Sequence, residues 1–446
     1  MASGNLTELM TSFAFDFEWV DPMGAKGPEL RATWARLSII AGDSTVTRVY
    51  DVVSRSVRDS IYLPLYPLAE WLVTHWWFLF HEIEPSGRIS EQEYGRRHNL
   101  RFAREGFALP SLSIVPVGES IRLGWKPEKL SSCRVEFLGE GNTHIPTDDF
   151  RESITILIQA VVERLEQYDV YGTLLQQEWA AVRDASPDEA SFCAAAAALG
   201  LDPFSLTDEQ AETITIAGNS IPESVLKEFF EAADFLVLRE QTEHLLEAID
   251  VSRSNPADLE PLRRLQAEML YVPRPVGAPW NQGYALARDV RHRLGLNGQP
   301  LVSFDDLSHA LGIRPHELEQ AIAPTMRYRD VFDAVVDVND RGSPGFVISN
   351  QREDIKKFAF CRGLFEYLTF EPGLPLMVTK ARSDRQKRNR AFAAEFLVPA
   401  GALRQRIHTR TIAEEEIDDL ADAFGVSPHV VRHQIENHGI ARTLLD

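Results

Sequence analysis

The chain has 446 residues, with 46 Lys and Arg against 66 Asp and Glu, and therefore a formal net charge of −20. Its hydrophobic content of 44% supplies enough apolar surface for folded cores, which excludes a mainly disordered chain, and its length predicts roughly two to four domains. Cys133, Cys193 and Cys361 lie far apart without a CxxC pair, which excludes a disulfide framework and a Cys-rich zinc site.

Residues 1–145 are predicted to form an α+β domain built mostly on an antiparallel sheet. Between two groups of strands, Pro67 opens a helical stretch that carries Trp71, Trp76 and Trp77, and aromatic residues at this spacing favour a place in the core. The strand-like segments are short, rich in β-branched and aromatic residues, and bounded by polar turns. They are residues 32–40, 44–51, 59–64, 111–117, 120–125 and 133–139.

No targeting or membrane segment is expected. The first residues lack a basic region followed by an apolar core, so they do not resemble a secretory signal. The most apolar stretch, residues 61–80, is interrupted by Pro64, Pro67 and Glu70, whereas a membrane span needs about 20 largely uninterrupted apolar residues. The sequence therefore predicts a cytoplasmic protein that does not enter a membrane.

A change of period marks a second part of the chain. From Thr147 onwards apolar residues recur at helical spacing, and residues 146–272 are predicted to form a helical domain. The segment that follows contains three prolines, so residues 273–280 are expected to be a linker before a C-terminal domain at 281–446.

Charge also distinguishes the C-terminal domain from the rest of the chain. Residues 1–280 carry 24 basic and 43 acidic side chains, whereas residues 281–446 carry 22 and 23. The first part should repel a phosphate backbone. If nucleic acid is a partner, contact is expected only through residues 380–440.

The C-terminal third contains a succession of short sequence motifs. LGI at 311–313 ends a helix, FVISN at 346–350 closes a predicted hairpin, and an apolar helix follows. FAAEFLVP at 392–399 and DLADAFGVSPHVV at 419–431 complete the order. In this order the motifs resemble the ImmA/IrrE family of zinc metallopeptidase domains, over residues 281–440. The resemblance implies an α+β domain with a helix-turn-helix-like end.

The resemblance also implies where catalysis would lie, and this chain departs from the pattern there. Family members carry HExxH, in which two histidines one helical turn apart bind zinc and the Glu activates the metal-bound water. The matching positions here are Arg362, Gly363 and Glu366. The stretch that would supply a third acidic ligand, residues 384–389, has only Asp384 as a carboxylate, slightly too far upstream. We expect no catalytic residue, no metal and no cofactor, and a direct ion pair between Arg362 and Glu366 instead.

Two features of this third are candidate contact surfaces. Residues 380–390 are strongly basic, which suits phosphate or an acidic partner, although a solvated helix face that neutralises the acidic first half is the favoured interpretation. Residues 415–437 have helix-turn-helix punctuation, which is typical of DNA binding but also of the ordinary fold that the resemblance implies. The candidate contact residues are Lys380, Arg382, Arg385, Lys387, Arg388 and Arg390 of the basic run, and His429, Arg432 and His433 of the last helix.

These observations favour a non-catalytic regulatory or recognition protein. The resemblance implies a setting in stress response, phage or mobile-element regulation, or defence, in which the chain binds a protein partner. Two alternatives remain open at this point. One is an active zinc metallopeptidase with a relocated site, and the other is a DNA-binding transcriptional regulator.

Overall fold

The structure is a computed structural model, which describes residues 13–22, 24, 26–84, 91–130, 133–270, 277–296, 298–325, 331–369 and 373–443. It is a mixed α+β protein with mostly antiparallel sheets. The described part of the chain forms two compact units, Met1–Asp208 and Glu209–Asp446, each with its own hydrophobic core. None of the helices within these described ranges is both long and apolar enough to cross a membrane.

The first unit contains three antiparallel sheets and seven α-helices among its described residues. Its strands are β1 Phe13–Trp19, β2 Trp34–Ala41, β3 Ser44–Thr45, β4 Val49–Asp51, β5 Ser56–Arg58, β6 Ile61–Pro64, β7 Leu112–Val117, β8 Ser120–Trp125, β9 Glu128–Lys129, β10 Val135–Phe137 and β11 Gly141–Pro146. Its helices are α1 Pro28–Ala32, α2 Tyr66–Thr74, α3 Trp76–His81, α4 Glu91–His98, α5 Thr147–Gln167, α6 Leu174–Arg183 and α7 Pro187–Ala198.

The sheets have the strand orders β1-β2-β3 with β6 also on β2, β5-β4-β10-β9, and β11-β8-β7. Helix α5 packs against β1, because apolar residues at helical spacing face the sheet. They are Phe150, Ile154, Leu157, Ile158, Val161 and Leu165, all fully buried. The predicted antiparallel strands and the helix from Thr147 are confirmed.

The tryptophan-rich helix is interrupted where a single helix was predicted. At His75 the backbone leaves helical geometry, and both its N–H and its ring Nδ1 donate to the Trp71 carbonyl oxygen. A side chain that binds the backbone in this way competes with the helical hydrogen bonds. The prediction that Trp71, Trp76 and Trp77 belong to the core is confirmed, because all three are buried.

The second unit is mainly helical around one four-stranded sheet. Its helices are α8 Asp208–Ser220, which begins at the unit boundary, α9 Glu223–Ala232, α10 Leu238–Arg253, α11 Glu260–Met269, α12 Pro279–Arg293, α13 Phe304–Ala310, α14 Pro315–Gln320, α15 Glu353–Thr369, α16 Asp384–Leu397, α17 Ala400–Arg406, α18 Glu414–Phe424 and α19 Pro428–Asn437. Its strands are β12 Ile322–Pro324, β13 Ala334–Val338, β14 Pro344–Ile348, β15 Leu376–Val378, β16 Thr411–Ile412 and β17 Arg442–Thr443.

The sheet has the order β12-β14-β13-β15, with β13 and β14 forming the predicted hairpin. Helix α15 packs on this sheet and α16 packs on α15. At Gly363 the fit is close, because a Cβ atom would stand 2.9 Å from Val336 Cγ2 and 3.2 Å from the Phe346 ring. The centre of α15 is therefore pressed against β13 and β14.

The unit boundary differs from the predicted domain boundaries. The helices of residues 146–272 divide at Asp208, with α5 to α7 contributing to the first core and α11 to the second. Residues 273–276 of the predicted linker lie outside the described residues, and α12 begins at Pro279, inside the predicted linker range. Apolar periodicity identifies helices, but it does not show which core each helix joins.

The turn between α18 and α19 supplies a test of this packing. Gly425 has φ +60°, and a Cβ there would lie 1.9 Å from the Val302 carbonyl oxygen and 2.8 Å from Lys357 Nζ. Gly439 has a similar φ of +55° with nothing within 4 Å. An alanine at Gly439 should cost only the left-handed strain of about 1–2 kcal/mol. Gly425→Ala should cost about 1–3 kcal/mol more, because the backbone has to move.

Urea unfolding of Gly425→Ala and Gly439→Ala measures this difference directly. Equal losses of unfolding free energy in the two variants would show that the α18–α19 turn is not packed against residues 301–302 as described.

Candidate functional site

A buried polar network lies where α15, α16 and β15 meet. We use this name for Arg362 and Glu366 of α15 together with Arg385, Gln386 and Asn389 of α16. Arg362, Glu366, Gln386 and Asn389 are all buried. An ionised group in such a place is costly unless its charge and its hydrogen bonds are matched.

Arg362 has its charge matched by a carboxylate and by backbone and amide oxygens. Its Nη1 donates to Asp333 Oδ2 at 2.7 Å, and its Nε donates to Asn389 Oδ1 at 2.8 Å. Its Nη2 donates to the Thr379 carbonyl oxygen at 2.6 Å and to Gln386 Oε1 at 2.9 Å. Burial lowers the pKa of Arg362, while the Asp333 carboxylate opposes this change.

Glu366 is matched by a different arginine. Arg385 Nε donates to Glu366 Oε2 at 2.9 Å, and Asn389 Nδ2 donates to Glu366 Oε1 at 2.6 Å. Burial raises the pKa of the Glu366 carboxyl, and Arg385 and Asn389 oppose it. Both carboxylate oxygens accept hydrogen bonds, as an ionised glutamate requires.

The predicted direct ion pair between Arg362 and Glu366 does not form. Arg362 pairs with Asp333, Glu366 pairs with Arg385, and the Asn389 amide connects the two charges. An amide suits this position, because its oxygen accepts from the guanidinium and its nitrogen donates to the carboxylate.

The outer edge of β15 is covered by the same side chains. Gln386 Oε1 accepts from the Thr379 N–H at 2.9 Å, and Gln386 Nε2 donates to the Met377 carbonyl oxygen at 2.9 Å. Arg362 also donates to the Thr379 carbonyl oxygen. The backbone groups of Met377 and Thr379 that hold these bonds are therefore not available for pairing with another strand. An extended peptide therefore cannot add to β15 at Met377 and Thr379 without displacing the polar network.

A cavity of about 950 Å³ lies against the outer side of the polar network. We call it the basic cavity, because five Lys and Arg residues face only two aspartates in its wall. Its walls come from α12, α15, α16, α19 and the segment after β15. The lining residues are Trp280, Tyr284, Asp333, Asp354, Ile355, Phe358, Ala359, Arg362, Lys380, Arg382, Lys387, Arg390, Ala391, Ala394, Ser427, His429, Val430, His433, Gln434 and Asn437.

The basic cavity brings together six of the nine candidate contact residues. These six are Lys380, Arg382, Lys387, Arg390, His429 and His433. The other three do not line it: Arg385 turns inwards to Glu366, Arg432 pairs with Glu414, and Arg388 lies elsewhere on α16. The solvated face expected of the basic run is thus split between an interior network and a cavity wall.

Cations crowd together inside this cavity. Arg390 donates to the carbonyl oxygens of Thr379 and Ala381, and it lies near Arg362 and Arg382. Burial and the neighbouring Arg362 and Arg382 lower the pKa of Arg390 to about 10, so it stays charged at pH 7. Burial and the adjacent His433 and Arg432 lower the pKa of His429 as well.

Sequence reasoning missed the residues that organise the site. Gln386 and Asn389 have no role in the sequence-based prediction, although their i,i+3 spacing places both on one helix face. Asp333, which precedes β13, and Trp280, at the start of α12, carried no signal of their own.

Metal binding is not favoured by the donor atoms present. Within the described ranges, no group of three or more His, Cys, Asp or Glu side chains is placed to hold a metal ion. The residues of the polar network do not fit a zinc site, because two guanidinium groups and two amides surround its single carboxylate and a metal cation would meet positive charge.

Comparison of the chain with protein-family models, with curated proteins and with solved structures found no match.

The polar network predicts that Glu366 is coupled more strongly to Arg385 than to Arg362 in its contribution to stability. Arg362→Met leaves Asp333 and two amides without their buried partner and should cost about 3–5 kcal/mol of unfolding free energy. Arg341→Met, at an exposed arginine of the same unit, should stay within about 0.5 kcal/mol. Double-mutant cycles with Glu366→Gln should give a larger coupling for Arg385 than for Arg362, because only Arg385 touches Glu366.

Denaturant unfolding of these variants measures the couplings. A larger coupling for Arg362–Glu366 than for Arg385–Glu366 would contradict the arrangement described here.

A buried acid next to the polar network predicts a pH dependence. Burial raises the pKa of Glu231 on α9 from 4.5 to about 7, with Lys227 opposing it and Glu228 adding to it. The folded chain then holds a proton that the unfolded chain releases. This contribution to stability is fully present below about pH 4.5 and is lost as pH rises through about 7.

Glu231→Gln removes this dependence. The free energy of unfolding of the variant, relative to that of the wild type, should therefore rise by at most roughly 2 kcal/mol from pH 5 to pH 8, as the pKa difference of Glu231 sets it. Glu243→Gln, at an exposed glutamate of α10, serves as the control and should show no such gain. Denaturant unfolding at the two pH values is the measurement, and parallel curves for Glu231→Gln and wild type would refute the assignment.

Proposed function

We propose that the chain is a non-catalytic recognition protein, in which the second unit is a degenerate ImmA/IrrE-like domain kept as a binding module for a protein partner. The observation that carries the proposal is the buried polar network. At the positions where the resemblance puts two zinc ligands, Arg362 is hydrogen-bonded to Asp333, to Thr379 after β15 and to α16, and Glu366 is hydrogen-bonded to α16. The finer domain architecture, a metallopeptidase-like unit with a helix-turn-helix-like end, belongs to the same proposal.

The chemistry needed for peptide hydrolysis has no support at this site. The position of the general base is Gly363, and its neighbours Val336 and Phe346 leave no room for a side chain. The nearby thiol is not a nucleophile either, because burial raises the pKa of Cys361 to about 12 and a thiolate is the reactive form. A relocated zinc site would have to be assembled from other residues, and none of the described acidic, His or Cys groups suggests one.

The DNA-binding alternative has less support. In α19, His429 and His433 face the basic cavity of their own unit, and Arg432 is held by Glu414 of α18. A recognition helix instead presents its side chains to the edges of the bases. The setting in stress response or defence remains part of the proposal, on the resemblance alone.

Capture experiments and metal analysis test the proposal together. The tagged full chain, used as bait in a lysate of its native cells, should retain a partner at its intact mass, with and without a chelator. Elemental analysis of the same purified chain should find well below one zinc per molecule, because two guanidinium groups and two amides surround the single carboxylate of the polar network.

A matched bait separates recognition from catalysis. Glu366→Gln replaces the carboxylate that would have to bind a metal with a neutral amide of nearly the same size. Recognition predicts the same partner at the same mass with this bait. About one zinc per chain, with a partner that is cleaved by the wild type and spared by Glu366→Gln or by the chelator, would replace the proposal with an active peptidase.

A further inference from the structure

The basic cavity concentrates positive charge in a chain that is otherwise strongly acidic. Five Lys and Arg residues and two Asp line it, whereas the whole chain has a net charge of −20. One of the aspartates, Asp333, is committed to Arg362, and the other, Asp354, pairs with Arg352 outside the cavity wall. Lys387 pairs with Asp384 of its own helix. In the cavity wall itself, cations outnumber carboxylates by five to two.

A cleft in which one sign of charge predominates attracts ions of the opposite sign. Lys380 and Arg382 are exposed on one side of the opening, and Lys387 and Arg390 stand behind them on α16. Arg and Lys arranged around one space are the usual receptors for phosphate groups, which Arg binds through two parallel hydrogen bonds.

The start of α19 adds a second, independent feature of an anion site. Ser427, His429 and Val430 in its first turn line the basic cavity. The Ser427 hydroxyl makes no capping hydrogen bond to this ten-residue helix. In this turn Pro428 has no N–H, and the Val430 N–H donates to the Ser427 carbonyl oxygen at 3.0 Å. The His429 N–H and the helix dipole are therefore the features that favour negative charge there.

The remaining wall is apolar and aromatic. Trp280 is half exposed at the start of α12, and Tyr284, Ile355 and Phe358 line the same space. A planar ring can stack on such a surface, and base–aromatic stacking is a common way of holding nucleotides. The volume of about 950 Å³ is near the upper end of small-molecule sites, which are roughly 300–1,000 Å³.

We infer that the basic cavity is a binding site for a nucleotide that carries two or more phosphate charges, with its phosphates at the cations and the first turn of α19 and its base against Trp280 and Phe358. An acidic peptide is the less suitable occupant, because the neighbouring β15 edge is already bonded to Gln386 and offers no backbone ladder. The inference goes beyond the proposed function and stands whether or not a protein partner is captured.

Isothermal titration of the full chain tests the phosphate half of the inference. The probes are ATP, GTP, CTP and UTP, with inorganic pyrophosphate, adenosine and a hexaglutamate peptide as comparisons. At least one nucleoside triphosphate should bind with Kd below ~100 µM at moderate salt. Lys380→Ala with Arg382→Ala should weaken this binding at least tenfold, and both residues are exposed, so the fold should survive.

Arg341→Ala with Arg410→Ala is the matched control. It removes the same charge from exposed positions of the second unit that do not line the cavity, and it should leave Kd within about twofold because distant surface charges are screened. If both double variants lost affinity for the nucleotide equally, binding would depend only on long-range charge, and the proposed site would be overturned.

Trp280→Ala tests the aromatic half. It should weaken the nucleotide at least fivefold and leave pyrophosphate binding unchanged, whereas Leu374→Ala, at an exposed apolar residue, should change neither. Pyrophosphate binding as tightly as every nucleotide, hexaglutamate binding where no nucleotide does, or no binding of any triphosphate at millimolar concentration would each overturn the inference.

Discussion

The second unit depends on one buried guanidinium. Arg362 lies out of water with a full positive charge, and such a charge is tolerable only where acceptors surround it. Those acceptors come from the segment before β13, from the residue after β15 and from α16. Satisfying Arg362 therefore fixes the sheet edge and two helices relative to one another, and the shape of the cavity next to them follows from that constraint.

The polar network also explains why two opposite charges one helical turn apart do not simply join. A direct pair would leave Asp333 and Arg385 without their partners in a buried place. By taking separate partners, Arg362 and Glu366 let all four charged groups be matched, and the Asn389 amide connects the two pairs. The total hydrogen bonding of the buried region decides the arrangement, not the attraction of any single pair.

Much of the fold was predictable because its signals are local. Apolar residues at helical spacing identify α5, and two short apolar runs containing β-branched residues on either side of a turn identify β13 and β14. The assignment of helices to cores was not predictable, since it depends on residues far along the chain. The break at His75 is local, but a histidine within a helical pattern does not by itself predict that its ring will bond the backbone. At the site, periodicity placed Arg362 and Glu366 on one helix face, but the partners that decide their pairing, Asp333 and Asn389, are remote in sequence.

Helix α16 joins the interior of the unit to its cavity. Gln386 and Asn389 face inwards and hold the network, while Lys387 and Arg390, each one residue further along the chain, face the cavity. Because these side chains belong to one rigid helix, the cations of the cavity wall are held at fixed positions by buried hydrogen bonds behind them. Charges fixed in this way need little rearrangement to bind an anion. A preorganised site of this kind loses less free energy to the ordering of its side chains on binding. The network that matches the charges of Arg362 and Glu366 is thus the same structure that places positive charge in the cavity.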